Sequence, residues 1–298
     1  MLFPSVRKKL QNPVSRENSK TLWFHCFLWF LLAGAFLYVF YPVISSLISS
    51  WSHSEESSQG FFIAPIALFI VWSKREKLSQ LPRHSSWFGF AVVVFSLLLF
   101  IVARLAEILT LASFAMIIFL AGTVLFFYGW KIFQELIFPL FLLLLMIPIP
   151  SQIYSVATIP LQLFVSKISV ALASLVGAPV LREGNVITLP GHSMEVVQAC
   201  SGLRSLTSLV TLAILLGYFS LRSNLLRGLL VAAAVPVAVL VNIVRVLLMI
   251  LALYYFNLDL TAESIHTYYG LAIFVLALVM LVLLGRLFSV WDSPQTQD

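Results

Sequence analysis

Read as blocks of apolar and polar positions, the chain shows long apolar segments at 22–48, 60–72, 87–103, 108–130, 132–149, 202–219, 228–256 and 268–288, separated by short polar connections. A helix needs about 20 apolar residues to cross a hydrocarbon core roughly 30 Å thick, so the pattern predicts about eight membrane-spanning helices. The 60–72 segment is short for a full crossing, and Trp72 is placed to anchor its end at an interface. A further stretch, 151–176, is apolar but interrupted by Ser151, Gln152, Ser155, Gln162 and Lys167, so it either spans or lies flat. Residues 177–200, GAPVLREGNVITLPGHSMEVVQAC, carry Gly and Pro punctuation between short alternating stretches, which predicts a small hairpin outside the membrane.

The distribution of Lys and Arg decides what 151–176 does. Basic loops stay on the cytoplasmic side. The basic N-terminus is therefore inside, the Ser-rich loop with Glu55 and Glu56 outside, and Lys74, Arg75, Lys77 and Arg83 inside again. Counting on, the chain emerges outside near Pro148 and Pro150, whereas the loop with Arg222 and Arg227 is inside. Only the crossing at 202–219 is then needed, and 151–176 is expected to lie in or re-enter the outer interface. The expected fold is thus an all-α polytopic membrane protein: about eight spans, an interfacial or re-entrant helix and an extracytoplasmic hairpin. Residues 1–150 read as a scaffold of about five spans and 151–298 as the half that carries the chemistry, with no internal repeat.

Composition sharpens this picture. The chain is 61% hydrophobic and 10% charged, against roughly 25% charged in soluble domains. The net charge of +6 sits at helix ends rather than in one basic stripe, which argues against a nucleic-acid partner. The run preceded by Arg7, Lys8, Lys9, Arg16 and Lys20 is too long for a cleavable signal peptide, so the first helix is expected to be retained. Two cysteines make no disulfide framework. No HExxH or CxxC spacing is present, and neither a metal nor a cofactor is expected.

Candidate chemistry concentrates in three places. Ionisable groups inside a span are costly and mark function by default. Arg245 is such a group, past the midpoint of 228–256, with Asn242 three residues earlier on the same helix face. Cys200 stands in EVVQACSGLRSL at the start of an apolar helix, where Ser201 is placed to cap and Arg204 adds positive potential one turn on. A helix N-terminus favours thiolate, the nucleophilic form. Cys26, in an apolar run beside His25, reads as an inert packing residue. His266 lies just before the last span, on the outer side by the same count. A thiol, an imidazole and a guanidinium on one membrane face form an acyl-transfer set. His192 is the rival base, although GHS also suits a hairpin tip; His53 and His84 read as loop residues.

At these residues the chain resembles the exosortase and archaeosortase family over most of its length, most closely from 138 to 275. The matching stretches are FPLFLLLLMIPIP, REGNVITLP, EVVQACSGLRSL, NIVRVLLM and HTYYG. SQGFFIAPIALFIVW is similar to the family's short second span, with Gln59 where many members carry His. The resemblance implies a cysteine protease or transpeptidase in the cytoplasmic membrane, its active site towards the extracytoplasmic face. Its partners would be secreted proteins bearing a C-terminal sorting signal: a short motif, a membrane helix and a basic cluster. It further implies that Cys200 forms a thioester, Arg245 holds the oxyanion and His266 moves protons, with a lipid or polysaccharide as acceptor. Arg204, Asn242 and Ser201 would be supporting. A transporter would instead predict repeats around a central pathway, and a non-enzymatic assembly factor would leave Cys200 unreactive.

Overall fold

The computed structural model describes residues 14–54, 57–184, 186–195, 205–260 and 263–292. Ten helices appear among them: α1 (Val14–His53), α2 (Gly60–Ser73), α3 (Arg75–Gln80), α4 (Trp87–Leu105), α5 (Leu109–Tyr128), α6 (Trp130–Leu144), α7 (Ser151–Leu175), α8 (Ser205–Ser220), α9 (Asn224–Phe256) and α10 (Glu263–Trp291). Six carry stretches long and apolar enough to cross a membrane: α1, α4, α5, α7, α9 and α10. Each of the eight segments expected to span contains a helix among the described residues, but α2, α6 and α8 have 14, 15 and 16 described residues, fewer than the roughly 20 of a full crossing. Helix α6 stops at Leu144, short of the expected 149, and 142–147 continue as successive turns. Pro148 and Pro150 account for this, since a proline pushes the preceding residue out of helical geometry. The short helix α3 lies in what reads from sequence as a plain basic loop. At the end of α2, the Arg75 guanidinium sits 4.3 Å over the exposed Trp72 ring, an interfacial cation–π pair.

The chain divides into two compact units, one comprising residues 1–49 and 82–134 and the other 50–81 and 135–298. In the first, α4 and α5 pack so closely that a Cβ on Gly89 would lie 2.3 Å from the Phe126 backbone nitrogen. Such approach through small residues drives association where lipid is as apolar as any side chain. Phe36, Phe40, Phe100 and Phe119 form an aromatic cluster in the same unit, with ring centroids 4.8–5.9 Å apart.

The second unit is organised around α9, whose buried face runs from Leu230 to Leu253. The first half of that face packs with α8 and α10 through Leu209, Ala213, Ile273 and Leu281. The second half, with Val246, Met249 and Ile250, packs with α7 and the sheet. That sheet has three strands, β1 (Leu181–Glu183), β2 (Val186–Leu189) and β3 (His192–Glu195), all antiparallel, rather than the two of a hairpin. Ile187 and Met194 are register partners, and both are buried in the cluster against α9. The β2–β3 turn ends at Gly191 with φ of 81°, which favours glycine.

Helix α7 is long enough to cross, yet its contacts stay at the end of the unit where α8 begins and α9 ends. Tyr154 shares a cavity with Leu206 and Thr207. The Ser169 hydroxyl donates to the Ile243 carbonyl at 3.1 Å, and Tyr255 donates to the Val176 carbonyl at 2.8 Å. A helix aligned with α9 would advance about 33 Å between residues 154 and 176, so α7 lies obliquely across this end. The opposite end is basic. Lys74 and Lys77 pair with Glu135 at 3.3 and 2.7 Å, and Lys74 and Arg227 stand 5.9 and 5.6 Å from the Tyr218 ring. Asp292 accepts from the Arg222 and Ser223 backbone amides and so ties the end of α10 to the turn before α9.

Candidate active site

Arg245 and Asn242 lie on the α9 face that meets α8 and α10, and are 3% and 1% exposed. Their three-residue spacing puts them one above the other on a helix that continues through Pro236. The Tyr269 hydroxyl donates to the Arg245 carbonyl at 2.8 Å, and the guanidinium carbon is 5.8 Å from the Tyr269 ring centre. A Cβ on Gly270 would stand 3.7 and 4.0 Å from the two terminal guanidinium nitrogens. The cation therefore rests against the backbone of α10, with the aromatic ring beside it. A cavity of about 20 Å³ adjoins it, lined by Leu209, Val241, Asn242, Arg245, Gly270 and Ile273 among others, room for one water molecule.

Neither the nitrogen nor the oxygen of the Asn242 amide meets a hydrogen-bond partner among the described residues. Burying an amide this way is unfavourable by about 1–3 kcal/mol. The adjoining cavity, which Asn242 lines, has room for the one water molecule that such an amide calls for.

The geometry thus unites Asn242 and Arg245 with the first turns of α8 through Leu209. Cys200, Ser201 and Arg204, which precede α8, lie outside the described residues. His266 falls within α10, one turn ahead of Gly270; its side chain, like that of Cys26 in α1, is also outside them. The rival base His192 is on β3, exposed, with Nε2 3.1 Å from the Asn257 side-chain oxygen. It clips the sheet to the α9–α10 connection, at a residue in left-handed geometry with φ of 50°.

Tyr269 and Gly270 escaped the reading of single residues. The signal was the YYG triplet one turn after His266: an aromatic group and a residue without a side chain, both facing the arginine. No three His, Cys, Asp or Glu side chains cluster among the described residues.

The model of the transmembrane exosortase family matches residues 51–283. The chain belongs to the transmembrane exosortase family. No curated protein and no solved structure matches it. Exosortase membership makes the chain a multi-pass membrane protein and a membrane transpeptidase or protease of the sorting type. The matched span takes in the arginine site, the sheet and most of α10, and leaves out most of α1.

Proposed function

We propose that this exosortase is a cysteine transpeptidase that trims secreted proteins at a C-terminal sorting signal made of a short motif, a membrane helix and a basic cluster. The observation that carries the reading is the buried Arg245, set on the α9 face against α8 and α10, of which α8 follows Cys200 in the chain and α10 carries His266 in its first turn. In this mechanism the Cys200 thiolate, favoured by the α8 N-terminus and by Arg204, attacks the carbonyl carbon of the scissile peptide. The S–C bond forms and the carbonyl electrons move to oxygen. Arg245 holds that oxyanion, a contribution worth about 10²–10³ in rate for a single donor. On collapse the C–N bond breaks, and His266 donates its proton to the departing amine. A thioester remains on Cys200. His266 then takes a proton from the acceptor hydroxyl or amine, which displaces the thiolate; the acceptor is a lipid or surface polysaccharide, or water in the hydrolytic variant. Ser201, Arg204 and Asn242 support these steps.

The enzyme sits in the cytoplasmic membrane with this site on the extracytoplasmic side. In support, two loops that the positive-inside rule assigns to the cytoplasm come together around Tyr218 through Lys74 and Arg227, at the end of the unit away from Arg245. Residues 1–150 act as scaffold and 151–298 as the catalytic half. The test is co-expression with a secreted reporter carrying such a signal, comparing wild type with Cys200→Ala, Arg245→Ala and His266→Ala. Loss of the tail in wild type alone, read as a mass shift, is expected, and the mass added identifies the acceptor. Undiminished trimming by Cys200→Ala would sink the mechanism.

A further inference from the structure

A second cavity, of about 290 Å³, opens at the same end of the unit. It is walled by the turn before α2, the segment 144–149 after α6, Tyr154 of α7 and the first turns of α8. None of its lining residues is charged. Its size falls at the small end of ligand pockets, enough for a few side chains and little more. One wall is pinned: the Trp51 indole N–H donates to the Met146 carbonyl at 2.9 Å. That indole packs where a Cβ on Gly60 would be 2.2 Å away, so only glycine leaves it room. Within the lining, the side-chain oxygen of Gln59 is buried and meets no hydrogen-bond partner among the described residues.

Two features say what fits. The cavity is uncharged and mostly apolar, and Gln59 in its wall keeps a buried acceptor that has no partner among the described residues. It also lies beside α8, and Leu206 in its wall is six residues from Cys200, a tether of at most about 20 Å. The first turn of any helix has N–H groups with no partner in the helix, and each is costly where water is scarce. We infer that this cavity receives the outer first turn of the substrate's membrane helix, seating its apolar side chains while Gln59 accepts one of its unpaired backbone N–H groups. This rests on the proposed function, which cuts the substrate next to that helix. Gln59 and the cavity are thereby a specificity subsite, distinct from the groups that move electrons and protons.

The test uses the full chain and reporters fused to every C-terminal tail of the stated form in the same genome, keeping as probe a tail that wild type trims. Benzoylphenylalanine is placed in the first four positions of its apolar segment, and the Cys200→Ala chain holds it uncut. Irradiation is expected to link it to 144–149 or 206–211. Gln59→Leu and the cavity-filling Val210→Trp, in otherwise wild-type chains, are expected to slow trimming about tenfold or more while maleimide still labels Cys200. Cross-links confined to other segments, or unchanged trimming in both variants, overturn the inference and leave the proposed function standing. Labelling of the same two segments by a benzophenone phospholipid that the probe does not displace overturns it in favour of a lipid occupant. Trimming by Cys200→Ala removes the proposed function instead, and a wild type that trims no tail removes both.

Discussion

Replacing Asn242 by leucine is expected to make the protein more stable and less active. The amide is 1% exposed and bonded to nothing among the described residues, so no described protein group offsets its desolvation. An unsatisfied buried polar group costs about 1–3 kcal/mol. Within lipid the unfolded reference also finds partners, and hydrogen-bond effects there average about 0.6 kcal/mol. Leucine has nearly the same shape, and the adjoining cavity of about 20 Å³ takes up the difference in its outline. The net expectation is a gain of about 1 kcal/mol, roughly fivefold in the folded-to-unfolded ratio. Unfolding by SDS in mixed micelles, followed by far-UV circular dichroism, reads the first effect. Reporter trimming reads the second, with a fall of about tenfold or more expected if Asn242 supports the proposed acyl transfer beside Arg245. A loss of 1 kcal/mol or more on substitution would refute the reasoning, because it would mean that the amide is bonded in the resting protein.

Tyr269→Phe removes the hydroxyl that holds the Arg245 carbonyl; stability is expected to fall by about 1 kcal/mol, and trimming to slow with reporter affinity little changed. Gly89→Leu drives a side chain into the Phe126 backbone, which has no rotamer to yield, and is expected to cost about 1–3 kcal/mol or more in the same SDS titration. Glu135→Gln loses the ion pairs to Lys74 and Lys77, of which Lys77 is well exposed. Its expected cost, about 1 kcal/mol after solvent screening, should shrink as salt is raised in the SDS titration.

The amino-acid sequence by itself determined the class of the fold and pointed to the candidate site. Run lengths near the membrane thickness mark the helices, prolines 148 and 150 end one of them, and Pro190–Gly191 turn the sheet. The interval between Asn242 and Arg245 puts both on one face whatever else the chain does, because the helical repeat is local. The buried arginine of the candidate site was legible for a related reason: a charge inside a span stands out against an apolar background.

Only the tertiary structure decided which apolar faces meet. In a membrane protein the lipid-facing and core-facing sides are both apolar: Phe62 and Leu68 on α2 are each 70% exposed, while Ile63 and Ile70 of the same helix are buried. Periodicity therefore carries little information about packing. It could not show that Tyr269 would reach Arg245 across 24 residues, or that Trp51 would fasten Met146 across 95. The third strand and the oblique course of α7 also depend on burial against the second half of α9, a contact that no local pattern encodes.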